Sequence, residues 1–142
     1  LSSPSMETFF DILEVLGVTP AEFFKQKTGD QKIVYKEEDT TFYSDEEHGY
    51  HIKWLIPESN EKEMEPILLT LDKKGQYKQF TPSLSETFIY VLEGKVALQF
   101  GETLYEAEKG ESIYYEASKP HRLQNQASGV SKVLIVATES YL

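Results

Sequence analysis

The chain opens in a helical rhythm and then changes to a strand rhythm. Met6, Phe9, Phe10, Leu13 and Leu16 follow the i, i+3, i+4, i+7 spacing of one buried helix face. Ser3 can cap the N-terminus, Pro4 suits the first helical position and Gly17 suits the stop, so the pattern predicts a helix over residues 3–16. Thr19-Pro20-Ala21-Glu22 is a capping box that starts a second helix, with Phe23 and Phe24 packing back on the first. Two helices this short need a third element to cover their apolar faces. The polar run Lys25–Gln31 reads as a linker.

From Lys32 the period becomes two. Ile33 and Tyr35 alternate with Val34 and Lys36, and Thr40–Tyr43 is a short candidate strand. Tyr50–Ile56 is rich in aromatic and β-branched residues, and Ile67–Leu71 follows a charged loop over Pro57–Pro66. Lys73-Lys74-Gly75 turns the chain. Thr87–Leu92 and Lys95–Phe100 are expected to form a hairpin around Glu93-Gly94. Thr103–Ala107, Ser112–Glu116, His121–Gln126 and Lys132–Thr138 complete the strands. Short strands with Gly-bearing turns point to a mainly β sandwich or barrel. The expected organisation is a helical pair at 1–26, a linker at 27–31 and a barrel at 32–142.

Composition narrows the chemistry. The 142 residues suit one compact domain with a small appendage. The absence of cysteine excludes disulfides, thiolate metal sites and Cys nucleophiles. A net charge of -10, with Arg122 as the one arginine, gives no phosphate-gripping cluster, so this piece is not expected to touch DNA itself. No apolar run is long enough for a membrane helix, and the first residues lack a signal-peptide pattern. A cytoplasmic location is the expectation. The chain begins at Leu1, which suggests a fragment of something longer.

Two resemblances sharpen this reading. Pro4–Phe24, PSMETFFDILEVLGVTPAEFF, resembles the last two helices of an XRE-type helix-turn-helix domain, whose recognition helix lies upstream of such a pair. The plain alternative is an ordinary helical hairpin. Phe80–Gly94, FTPSLSETFIYVLEG, and Gly110–Asn125, GESIYYEASKPHRLQN, resemble the two motifs of a cupin barrel, that is, a double-stranded β-helix or jelly roll. The resemblance spans about Gln76–Thr138. Gly94 fixes the register of the first motif, whose two His and one Glu positions are held by Thr81, Ser83 and Thr87. Gly110, Pro120, His121 and Asn125 keep the second motif. Of the four usual metal ligands only His121 survives, and neutral hydroxyls do not replace imidazole or carboxylate donors. A metal cofactor is therefore not expected. Glu86 lies one residue from a ligand position, and even swung inward it would give only two ligands.

Alternation places Thr81, Ser83, Thr87, Ile89 and Val91 on one strand face, with Val96, Leu98 and Phe100 opposite from the hairpin partner. His121, Leu123 and Asn125 alternate likewise. Thr81, Ser83, Thr87, His121 and Asn125 are thus the candidate ligand-binding residues over an apolar floor. The competing reading makes His121 a hydrogen-bonded core histidine. Arg122 points away from His121 and reads as a solvated surface residue. Trp54 reads as core packing, and Asp45–His51 as an acidic turn rather than a metal cluster. No nucleophile elbow, zincin or phosphate-loop pattern is present.

Taken together, the resemblances imply the effector-sensing and dimerisation half of a bacterial transcription regulator. It would be a homodimer through the cupin, take an unknown small molecule, and reach DNA only through a segment upstream of Leu1. A metal-independent isomerase or epimerase using His121, or a dimerisation-only module, are the alternatives.

Overall fold

In the computed structural model, residues 31–142 are described, together with Val15 and Gly17. Of the predicted helical pair at 1–26, Val15 is helical and Gly17 lies in a turn; the rest of the pair lies outside the described residues. The chain divides into two units, Leu1–Val34 and Tyr35–Leu142.

The second unit contains nine antiparallel strands: β1 (Thr41–Asp45), β2 (Tyr50–Trp54), β3 (Met64–Leu71), β4 (Glu86–Glu93), β5 (Lys95–Phe100), β6 (Thr103–Glu108), β7 (Ser112–Glu116), β8 (His121–Asn125) and β9 (Ser131–Thr138). They form a six-stranded sheet, β1-β2-β3-β9-β4-β7, facing a three-stranded sheet, β6-β5-β8. Inward positions alternate as the sequence pattern demands. Ile67, Leu69 and Leu71 of β3, Ile89 and Val91 of β4, and Val133 and Ile135 of β9 are buried against Val96, Leu98 and Leu123 of the smaller sheet. Trp54 packs on the edge of this core, as expected.

Three local expectations meet different outcomes. Asp45–Gly49 is indeed a turn: the Gly49 N–H donates to Asp45 O at 2.9 Å, and the Asp45 carboxylate accepts from the His48 backbone and ring. Residues 32–36 are not a strand. Ile33 and Val34 are both exposed, so the alternation of this stretch does not mark a buried strand face. The predicted hairpin of β4 with β5 does not form either. β4 pairs with β7 and β9, whereas β5 pairs with β6 and β8. Glu93-Gly94 is a corner at which the chain changes sheets. Gly94 has φ +81, and a Cβ there would lie 2.2 Å from Ser131 Oγ, the hydroxyl that accepts the Lys95 N–H at 3.0 Å.

The outer face of the six-stranded sheet is unusually apolar. Register aligns Phe42, Lys53, Leu68, Leu134 and Tyr90 in one row across it, and Pro66, Val136, Phe88 and Tyr114 in the next. Phe42 is 68% exposed and Leu92 41%. With Leu68 they line a shallow cavity of about 190 Å3.

Candidate functional site

β8 turns His121 into the barrel, where it is 2% exposed. Its Nδ1 lies 2.9 Å from the Lys119 carbonyl. A carbonyl only accepts, so Nδ1 carries the proton and Nε2 is a lone-pair acceptor. That Nε2 is buried and has no hydrogen-bond partner. Burial lowers the His121 pKa below 6.5, and the bond to Lys119 opposes the shift in part. The imidazole is therefore neutral at pH 7.

Aromatic rings enclose it. Phe80 stacks on His121 at 5.2 Å and 21°, held there by a bridge in which the Phe80 N–H donates to His121 O at 2.8 Å and the His121 N–H donates back at 3.1 Å. Tyr115 of β7 meets the imidazole edge-on at 5.1 Å. Phe100 and Tyr141 lie at 6.2 and 6.1 Å. Thr87, inward on β4 and 1% exposed, shares a hydrogen bond with the Tyr141 hydroxyl. The Tyr115 hydroxyl belongs to the same cluster, and burial raises the pKa of both phenols. A cavity of about 400 Å3 opens at the seam between β6 and β7, lined by Leu98, Phe100, Tyr105, Ile113 and Tyr115. Phe100 and Tyr115 are thus walls of both the cavity and the imidazole cage.

The five predicted residues do not all meet. Thr87 and His121 come together as alternation requires. Thr81 is exposed on the loop before β4. Ser83 is half-buried on that loop, its N–H donating to Ala117 O at 2.7 Å and its hydroxyl accepting the Ser85 N–H at 3.2 Å. Asn125 lies at the far end of β8, about 13 Å along the strand from His121 at the usual rise per residue. Its amide donates to Leu71 O, Asp72 O and Gly129 O, and its carbonyl accepts from Ala127 N and Ser131 Oγ, at 2.8–3.1 Å. With both donors and its acceptor engaged, Asn125 ties the barrel end together and has nothing left for a ligand. Arg122 is half-buried rather than solvated: its Nη1 donates to Gln76 Oε1 at 3.2 Å across neighbouring backbone.

A metal ion does not fit this donor set. Thr81 and Ser83 are on the loop, Thr87 is engaged with Tyr141, and exposed Glu86 accepts a hydrogen bond from Tyr114 on the outer face. Among the described residues no three His, Asp or Glu side chains converge.

Sequence reasoning passed over Phe80, Tyr115 and Tyr141. Tyr115 shares the strand phase of Ile113 and was recoverable from alternation. Tyr141 follows the last strand, where no periodicity operates.

Residues 69–137 match the Cupin_2 model, described as a cupin domain. Residues 69–137 are a cupin domain. Solved structures similar to the chain include the cupin domain of an XRE family transcriptional regulator from Enterobacter cloacae, at 14% identity and TM-score 0.57, covering 63% of this chain and 96% of that one. An HTH_3 family transcriptional regulator from Vibrio cholerae matches at 22% identity and TM-score 0.60, covering 96% and 73%. A cupin-superfamily sugar phosphate isomerase from Silicibacter pomeroyi matches at 14% and 0.60, covering 75% of each chain. At these identities the likeness establishes the fold alone. No curated protein matches the chain.

Proposed function

We propose that this cupin is the effector-sensing and dimerisation part of a transcription regulator, and that it binds a small organic molecule without a metal. The observation that carries the reading is the buried Nε2 of His121, an acceptor without a partner inside a cage of aromatic rings. Burying such a group is costly unless a donor reaches it, and a ligand hydroxyl or N–H entering from the 400 Å3 seam would supply one. A volume of that size is typical of small-molecule sites. The helix-turn-helix resemblance of Pro4–Phe24 supports the regulator setting, and so does a Vibrio regulator match that extends over 96% of the chain. DNA contact then falls to a segment upstream of Leu1, because the acidic cupin offers a phosphate backbone no cationic patch.

Catalysis is the weaker reading. The only hydrogen bond of the His121 side chain goes to a backbone carbonyl, so no carboxylate orients it as a general base. Dimerisation runs through the apolar outer face of the large sheet, with a second copy as its occupant. The lysines of that face are already paired within one chain, Lys53 with Glu37 and Lys132 with Glu93. Around Phe42 and Leu92 two chains of charge -10 can therefore meet with little free charge between them, the exposed carboxylates of Glu86 and Glu116 lying on the β4–β7 side of the face.

Thermal melting against a panel of small phenols and aromatic acids tests the pocket. At least one compound is expected to raise Tm by several degrees in the wild type and by much less in His121→Ala. Equal shifts in both proteins would remove His121 from the site.

A further inference from the structure

The segment that follows β9 does something the strand pattern does not require. Glu139 adopts φ +56, a left-handed conformation uncommon for a residue with a side chain. That turn sends Ser140, Tyr141 and Leu142 back into the end of the barrel. Leu142 is 6% exposed. Its N–H donates to Glu65 Oε1 at 2.7 Å, and the Ser140 hydroxyl donates to Glu65 Oε2 at 3.2 Å. The Leu142 main-chain oxygen accepts from the Tyr77 hydroxyl at 3.0 Å and from the Lys78 ammonium. The Tyr141 hydroxyl reaches Thr87, and its ring stands edge-on to Phe80 at 5.0 Å.

Glu65 makes this arrangement informative. It points inward from β3 and is only 5% exposed. A buried carboxylate needs donors, and among the described residues the side-chain oxygens of Glu65 accept from this segment. Lys78, at the rim, likewise spends its charge on the Leu142 main-chain oxygen. Together with Thr87 and Tyr77 they form three separated polar stations. One accepts an N–H, one grips an oxygen acceptor, and one meets a phenol against an aromatic wall.

We infer that Ser140–Leu142 is a displaceable internal occupant of the sensor site, and that the effector is an aromatic molecule carrying an N–H donor beside a carboxylate or carbonyl, in the manner of an aromatic dipeptide or acylated amino acid. The inference rests on the small-molecule reading proposed above and specifies its ligand. Effector binding swings the segment out about Glu139. The site thereby couples occupancy to the position of a chain segment, and differential affinity for the two positions is what a switch requires.

Calorimetric titration of L-tyrosyl-L-leucine, which carries the same polar groups, tests this on the full chain. The wild type must expel its own segment, so its binding is expected to be at least tenfold weaker than that of Tyr141→Ala. Tyr141→Phe keeps the ring and loses only the hydroxyl, so it serves if the alanine variant does not fold, with a gain of a few-fold. Adding Lys78→Met to either variant should reverse the gain. Equal dipeptide affinity in wild type and variants would overturn the displaceable segment. If p-cresol binds all proteins equally and the dipeptide binds none, the ligand class and the displacement fall while the pocket stands. If neither compound binds any of them, the pocket reading falls as well.

Discussion

His121 exchanges water for aromatic walls, and that exchange has a sign. Burial holds its folded pKa below the ordinary 6.5. The unfolded chain therefore takes up the proton first as pH falls. Stability from this residue is complete above about pH 6.5 and drains away below it, until the pH reaches the lowered folded value. The slope in that window approaches at most about 1.4 kcal/mol per pH unit, the limit for one proton. His48 and His51 are present in both proteins compared, so their contributions subtract out. Chemical denaturation of the wild type between pH 7.5 and 5.5 should show a loss that His121→Phe lacks. A His121→Phe protein with the wild-type slope would mean that His121 is hydrated and charges freely. The same neutral imidazole is what makes Nε2 an acceptor, so ligand binding should weaken over the same acidic window.

The corner between β4 and β5 shows what an element owes to a single glycine. Lys95 begins the smaller sheet immediately after β4 leaves the larger one, and Gly94 makes the change at φ +81 with Ser131 against its backbone. An L side chain at that φ costs about 1–2 kcal/mol, and the collision of its Cβ with Ser131 adds to it. Gly94→Ala should therefore lower unfolding stability by more than about 2 kcal/mol in denaturant titration. An effect within about 0.5 kcal/mol, as for an ordinary surface change, would mean that the corner relaxes easily. The same corner marks the limit of what the sequence revealed. Period-two alternation found β5 and β7 at their observed bounds and placed Thr87, Ile89, Val91, His121 and Leu123 inward, because burial acts on each strand separately. Pairing is a property of two strands, and a Glu-Gly between apolar runs reads equally well as a hairpin or a corner. Asn125 failed as a ligand residue for a related reason. Its inward phase was legible, but the carbonyls of Leu71, Asp72 and Gly129 that consume its amide come from distant sequence. Tyr141 was invisible because it sits outside any strand.

At the scale of the whole molecule, the proposed dimer would bury an apolar sheet face without bringing many like charges together. Phe42 and Leu92 are prominent on that face, beside half-buried Leu68, Leu134 and Tyr90. Its ion pairs, Lys53–Glu37 and Lys132–Glu93, are closed within one chain. The face thus offers a second copy apolar area with little local charge, while the rest of the surface carries the repulsion. The double variant Phe42→Glu, Leu92→Glu changes two exposed residues, so the barrel itself should melt as before. Sedimentation at micromolar concentration should find the wild type as a dimer and the double variant as a monomer. Added salt should tighten the wild-type dimer, because screening relieves the repulsion between acidic surfaces more than it weakens contacts between apolar ones. A dimer that survives both glutamates would have its interface elsewhere. A wild type that stays monomeric would deprive the proposed regulator of the two-fold symmetry that a palindromic DNA site demands.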